Sequence, residues 1–182
     1  MLFRSQTGRD PYRNFVYTSF QELATNISHR RTATQAKQSG NALLSQICGV
    51  IAADEMRHAK AYKSFVAEIF THDASGMMLA FEDMMRKKIV MPAHMLRESG
   101  VNFGNTYSHF SDAAQRIGVY TVRDYIQILE SLLTDWKIDA FADLTDDAQR
   151  ARDYLMALPA RLTRLADRTR IPTLAYEFSW IK

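Results

Sequence analysis

The sequence predicts an all-α protein, and three observations carry that expectation. Apolar residues recur at steps of three and four in segment after segment, which is the spacing of one helix face. No alternation of apolar and polar residues persists long enough to make a convincing strand. Only seven glycines and four prolines interrupt 182 residues, too few breakers for a chain of many short strands and turns.

The elements follow in order. A first helix is expected from about Pro11 to His29, continuing through Thr32 to Gln38 until Ser39-Gly40 ends it. Asn41 can then cap a second, long helix to about Thr71. Thr71-His72-Asp73 and Gly76 break the pattern before Met77 to Val90 resumes it, and Met91-Pro92 stops that third helix. Arg97 to Asn105 holds two glycines and reads as a loop, followed by a helix from about Thr106 to Ile117. Thr121 to Asp124 is a capping box with Asp in place of Glu, opening a helix to about Ile138. Thr145 and Pro159 mark two further starts. The tail from Pro172 to Lys182, with Tyr176, Phe178, Trp180 and Ile181, suits a short strand pair or an extended segment over the bundle. No repeat and no Gly/Ser/Pro linker divides the chain, so one helical domain is expected.

Composition removes several classes of function. With 47% hydrophobic and 24% charged residues the chain has the makeup of an ordered domain. No run of eighteen apolar residues offers a membrane span, and the opening Met1 to Ser5 lacks the pattern of a secretory signal, so a soluble protein is expected. A net charge of +3 is too weak to argue for nucleic acid. The single cysteine, Cys48, permits no internal disulfide and suits a reducing compartment. Phosphate-binding glycine loops, G-x-S-x-G elbows and Cys-x-x-Cys pairs are absent.

What remains is a candidate metal site. Leu44, Ile47, Ile51, Glu55, His58, Tyr62, Phe65 and Ile69 form one helical stripe, and on the expectation that this stripe is buried, Glu55 and His58 lie among apolar neighbours. A carboxylate taken out of water needs a positive partner. An E-x-x-H pair converges on one helix face and suits non-haem iron or manganese. Glu22 looks solvated by periodicity, since its stripe runs Phe15, Thr18, Glu22, Thr25, His29 beside the apolar stripe Val16, Phe20, Leu23, Ile27. A carboxylate from a second helix is nevertheless what a di-iron bundle requires: one Glu from each of two helices and a Glu-x-x-His from each of two others. His29, His72, His94 and His109 have no Glu three positions earlier and read as surface or packing residues. The nine methionines read as core.

Several segments together are more specific than that pair. Phe15 to Glu22, Gln46 to His58, Asp83 to Ile89, Met91 to His94 and Phe178 to Ile181 occur in an order that resembles the soluble acyl-[acyl-carrier-protein] desaturases of the stearoyl-carrier type. The resemblance runs from about Pro11 to the end of the chain and leaves residues 1–10 unplaced. It implies a ferritin-like di-iron helical bundle. It also implies that dioxygen and reduced ferredoxin remove two hydrogens from a carrier-bound acyl chain to leave a cis double bond. By matching motif, Glu22 is expected as a terminal ligand of one iron, Glu55 as a bridging carboxylate and His58 as the imidazole on that same iron. Thr25 corresponds to a hydroxyl beside the oxygen site, and Asp54 to a carboxylate that orients a ligand histidine. Phe15 and Tyr107 are candidate acyl-tunnel residues.

The resemblance also shows what this sequence lacks. The family's other ligands, a Glu and a Glu-Glu-x-x-His, lie upstream of the matched segment. Only one E-x-x-H occurs here, so the chain is expected to be the C-terminal part of such an enzyme, a partial bundle with half the ligands. Weak or absent binding of an iron pair by one isolated chain follows. The resemblance further implies a homodimer in the bacterial cytoplasm, or in the plastid stroma if the source is a plant. An acidic carrier protein would dock on basic residues, with Arg161, Arg164, Arg168 and Arg170 as one candidate cluster and Arg86-Lys87-Lys88 as another. Two other readings stand beside this one: a ferritin-like iron oxidase or rubrerythrin relative, which should show a further E-x-x-H, and a metal-free helical remnant.

Overall fold

A computed structural model describes residues 10–89, 97–98, 101–102 and 112–168. The first helix, α1 (Pro11–Gln38), starts where Asp10 accepts from the amides of Tyr12 and Arg13 at 2.8 and 3.1 Å, with Pro11 in the first turn where its missing N–H costs nothing. It runs unbroken across the expected join near His29, because no residue there lacks a donor or favours another backbone shape. Ser39 and Gly40 end it, and Gly40 takes a left-handed φ of 78° that a side chain would resist. Asn41 then accepts from Leu44 N at 3.0 Å and opens α2 (Ala42–His72).

Asp73 both ends α2 and caps α3 (Ala74–Lys87), accepting from Gly76 N at 2.8 Å. Gly76 therefore lies inside the helix and does not break it. Its lack of a side chain is what lets the cap form, since a Cβ there would collide with the Asp73 carboxylate. The helix stops at Lys88, whose φ is +59°, short of the expected Val90. Within the expected glycine-bearing loop, β1 (Arg97–Glu98) and β2 (Val101–Asn102) pair antiparallel, Arg97 opposite Asn102. A short helix, α4, covers 112–116, the described part of the helix expected from Thr106.

The helix α5 (Val122–Asp135) begins at the expected capping box, with Thr121 and Asp124 each bonded to the other's backbone. It ends before Ile138 because Lys137 turns left-handed, φ 51°, ahead of a 3₁₀ turn over Ile138–Ala140. The last helix, α6 (Asp146–Arg168), carries Pro159 in its interior, so Pro159 does not start a new helix as expected. Proline removes one helical hydrogen bond, but Leu155, Leu158 and Pro159 itself are buried and hold the turn in place. The tail, Tyr107, His94, His109 and Arg170 fall outside the described residues.

One core joins these helices. Val16 and Phe20 of α1, Phe81 and Met84 of α3, Leu129 and Leu132 of α5 and Leu155 of α6 are almost fully buried together. Phe81 sits edge-on to Trp136 at 5.1 Å, and the Trp136 indole donates to Lys63 O of α2 at 3.1 Å. Met77, Met78, Met84 and Met85 fill this core as expected, whereas Met156 is exposed. Among the described residues no helix is long and apolar enough to cross a membrane.

The second helix does not bury the face its large apolar residues suggested. Its buried positions are Cys48, Ala52, Ala59, Val66 and Phe70, while Leu43, Ile47, Val50 and Phe65 are 69%, 46%, 60% and 49% exposed. Small side chains make the contact with α1, because they let the two backbones approach closely. Leu43, Ile47, Val50 and Phe65 point outward, while Val66 and Phe70 pack into the core.

Buried Asp124 ties α1 to the start of α5. Its two carboxylate oxygens accept from the Arg31 guanidinium at 2.6 Å each, and one also accepts from Thr121 N and Oγ1 at 2.8 and 2.7 Å. Burial pushes this carboxyl up, but the hydrogen bonds from Arg31 and Thr121 outweigh burial and leave it below the ordinary carboxylate range. A folded pKa below the unfolded one contributes stability above about pH 4 that is lost as the pH falls through the folded value. Asp124→Asn should therefore cost about 1–3 kcal/mol at pH 7 and clearly less at pH 3. Urea titration at both pH values measures this, and an equal cost at the two contradicts the assignment.

Candidate metal centre

The packing of α1 on α2 decides where the candidate ligands meet. The α1 face that turns to α2 is polar: Ser19 is fully buried with its hydroxyl donating to Phe15 O, and Asn26 is buried with its amide donating to Ala52 O at 2.6 Å. That bond fixes the register of the two helices one turn beyond Glu22 and one turn before Glu55. Asn26 was not among the residues singled out in the sequence. The signal for it was a polar stripe on α1 matched by the small residues Cys48, Ala52 and Ala59 on α2, a pattern of close helix contact rather than of solvent.

In that register Glu22, Glu55 and His58 converge. One ligand atom of each lies within 4.8 Å of the others. His58 Nδ1 stands 3.3 Å from Glu22 Oε2 and 3.8 Å from Glu55 Oε2. The Glu22 side chain is only 13% exposed, so the expectation of a solvated Glu22 fails. Periodicity missed it because α1 is covered on two sides, by the core and by α2. His58, placed on a buried stripe by sequence, is 59% exposed, because that stripe faces outward.

The electrostatics of the group follow from this crowding. Burial first, and then the hydrogen bond and repulsion from Glu55, push the Glu22 carboxyl up to about 7, with His58 pulling the other way. Glu22 therefore holds its proton up to the neutral range in the absence of a bound cation. The residues therefore fit a metal ion: two hard oxygen donors and an imidazole in one group, with a carboxyl that gives up its proton at neutral pH.

The other predicted residues lie around this group. The Thr25 hydroxyl, one turn from Glu22, donates to the carbonyls of Gln21 and Glu22 at 3.0 and 3.1 Å. Asp54 pairs with Arg57 of its own helix and not with a histidine. Phe15 packs on Tyr62 and Phe65, ring centres 6.2 and 5.6 Å apart, and with Tyr12 and Ile69 lines an open cleft of about 400 Å³. His72 pairs with Glu68 on the surface, as expected of a non-ligand. The two basic clusters meet in space: Arg86 of α3 and Arg161 of α6 stand over the Tyr154 ring, 3.9 and 5.5 Å from its centre, and Arg164 and Arg168 are exposed on α6.

A Glu of one helix meeting a Glu-x-x-His of the next within a helical bundle is a donor set that could hold a metal ion. Residues 2–182 match the fatty acid desaturase family, and the chain belongs to it. It is 50% identical over 181 residues to the stearoyl-[acyl-carrier-protein] 9-desaturase, chloroplastic, of Ricinus communis, and 48% identical over 181 residues to the acyl-[acyl-carrier-protein] desaturase, chloroplastic, of Cucumis sativus. It is 46% identical over 180 residues to the stearoyl-[acyl-carrier-protein] 9-desaturase 1, chloroplastic, of Arabidopsis thaliana. Each comparison covers 97% of this chain and 45% of the relative, so the chain spans just under half their length.

The raised Glu22 carboxyl gives a pH dependence whose sign is opposite to that of Asp124. A folded pKa above the unfolded one contributes stability that is full below about pH 4.5 and is lost as the pH rises through about 7. Kept free of metal with chelator, the chain should weaken over that window, and Glu22→Gln should flatten the dependence and stabilise it at pH 8 by about 1–3 kcal/mol. Urea midpoints at pH 5 and pH 8 decide it; a Gln variant less stable than wild type at pH 8 refutes the reading.

Proposed function

We propose that this chain carries one half of the iron site of an acyl-[acyl-carrier-protein] desaturase. In the reaction of the completed site, two neighbouring methylenes of a carrier-bound saturated chain each lose a hydrogen and become a cis double bond. Dioxygen takes up those hydrogens with two protons and two electrons from reduced ferredoxin, leaving as two waters. The observation that carries the reading is the gathering of Glu22, Glu55 and His58 at one point of a chain about half identical in sequence to carrier-dependent desaturases.

In this reading Glu22 is a terminal carboxylate, Glu55 bridges, and His58 supplies the imidazole. Iron held there would supply the redox chemistry that dioxygen reduction needs. The desolvation of Glu22 serves the same end, because a carboxyl at about 7 is still partly protonated at neutral pH and gives up that proton when a cation arrives. Thr25, whose hydroxyl spends its hydrogen on backbone carbonyls, keeps oxygen lone pairs free to relay a proton. Asp54, which pairs with Arg57 here, is proposed to orient a histidine of the completed site from outside the ligand set.

Substrate and partners follow the same logic. The apolar cleft beside Phe15 suits part of an acyl chain, and Tyr107 is proposed to line the rest of that path. Arg161, Arg164 and Arg168, joined by Arg86, Lys87 and Lys88, form the docking surface for an acidic carrier protein. The full protein is proposed as a homodimer in a compartment that supplies reduced ferredoxin, bacterial cytoplasm or plastid stroma.

Metal analysis of the purified chain, loaded anaerobically with ferrous iron, tests the centre. Wild type should take up ferrous iron weakly and at most one ion per chain, while Glu55→Ala and His58→Ala should bind it at least tenfold more weakly still, by analogy with the cost of disturbing such sites. Equal uptake by all three contradicts the site, and no uptake by wild type favours the metal-free helical remnant.

A further inference from the structure

We infer that Asn26 is a positioning residue for the metal centre: its amide, donated across the helix crossing to Ala52 O, holds Glu22 in register with Glu55 and His58, and metal affinity depends on that bond. The inference rests on the metal reading of those three residues and gives a role to a side chain outside the donor set.

Asn26 is 4% exposed, in an interface where polarity is costly. A buried amide persists where its hydrogen bonds are made, and this one donates to Ala52 O at 2.6 Å. Other polar side chains of α1 spend their hydrogens on their own helix: Ser19 on Phe15 O, Thr25 on Gln21 O and Ser28 on Ala24 O. Asn26 has the length to reach the neighbouring helix instead.

Its partner is a backbone atom, so the bond fixes a height along α2. Cys48, Ala52 and Ala59 let the two helices approach, but apolar contact is non-directional and does not choose among neighbouring registers. A hydrogen bond is directional and does. A single buried asparagine sets register in coiled coils for the same reason.

The contacts Asn26 to Ala52 and Glu22 to His58 run in opposite senses along the two helices, which makes α1 and α2 antiparallel. With Asn26 opposite Ala52, four residues back along α1 is Glu22, and four residues forward along α2 is Met56, between Glu55 and His58. A slip of one residue would carry His58 about 1.5 Å along the axis and turn it by about 100°. Metal–ligand distances tolerate about 0.2 Å. The bond and the ligand-bearing turns lie wholly within α1 and α2, so this role does not depend on what covers the outer face of α2.

Cobalt(II) titration of the full chain, followed by its visible bands, tests the inference. Asn26→Thr is the informative variant, because a threonine hydroxyl in α1 bonds its own helix, as Thr18 and Thr32 do. It removes the cross-helix bond without leaving a bare polar group. Asn26→Ser serves as a second form. Both should keep the helical circular dichroism of wild type, bind cobalt at least tenfold more weakly and show shifted bands. Leu155→Val, a loss of packing in the core on α6, should lower the urea midpoint and leave cobalt affinity and bands as in wild type. Wild-type affinity and bands in either folded Asn26 variant overturn the inference and leave the metal reading standing. An equal loss of affinity in Leu155→Val also overturns it, since any loosening of the fold would then suffice. A wild type that takes up no cobalt overturns both readings.

Discussion

Two carboxyl groups and one imidazole are forced together where α1 crosses α2, and most of what is distinctive about this chain follows from their need for positive charge. Glu22 is half-buried against Glu55, His58 is their one basic neighbour, and no lysine or arginine pairs with either acid among the described ion pairs. Without a cation the group can satisfy itself only by keeping a proton. The arrangement is poor for stability at neutral pH and well suited to exchanging that proton for a metal.

The rest of the fold holds that crossing in place. Asn26 on Ala52 sets the register, small residues on α2 allow the approach, and the methionine and aromatic core braces α1 from its opposite side through α3 and α5. Arg31 on Asp124 and Arg13 on Asp83 tie α1 at two further points, at 2.6 Å each. By contrast α2 is braced on one side only. Its outer face carries large apolar residues that nothing described in the chain covers, and that face passes directly over His58. The exposed His58 and the exposed apolar surface are one feature seen twice, because both lie on the side of α2 away from α1.

Much of this was legible in the sequence where the physics is local. Pro11, Asn41, and the pair Thr121 and Asp124 announced helix starts because caps are short-range chemistry. Glu55 and His58 could be read as a ligand pair because three residues make nearly one helical turn. The errors arose where the outcome depended on a neighbour. Periodicity placed the stripe from Leu44 to Ile69 inside, yet hydrophobicity says that a face wants cover and not whether this chain supplies it. Glu22 looked solvated because its stripe is polar, and only the small residues opposite it hinted at burial. Pro159 and Gly76 looked like breaks, but buried neighbours in one case and the Asp73 cap in the other kept the helices whole.

The central claim is that a cation and a proton compete for the same pair of carboxyls, and proton release on binding is the direct measure of it. Ferrous iron titrated anaerobically into the chain at pH 6, by calorimetry in buffers of different ionisation enthalpy, should displace about one proton per ion bound. That release should fall towards zero by pH 8.5 as Glu22 loses its proton in the free protein. Binding at pH 6 with no proton released would mean that Glu22 is already ionised or not a ligand, and would contradict the account.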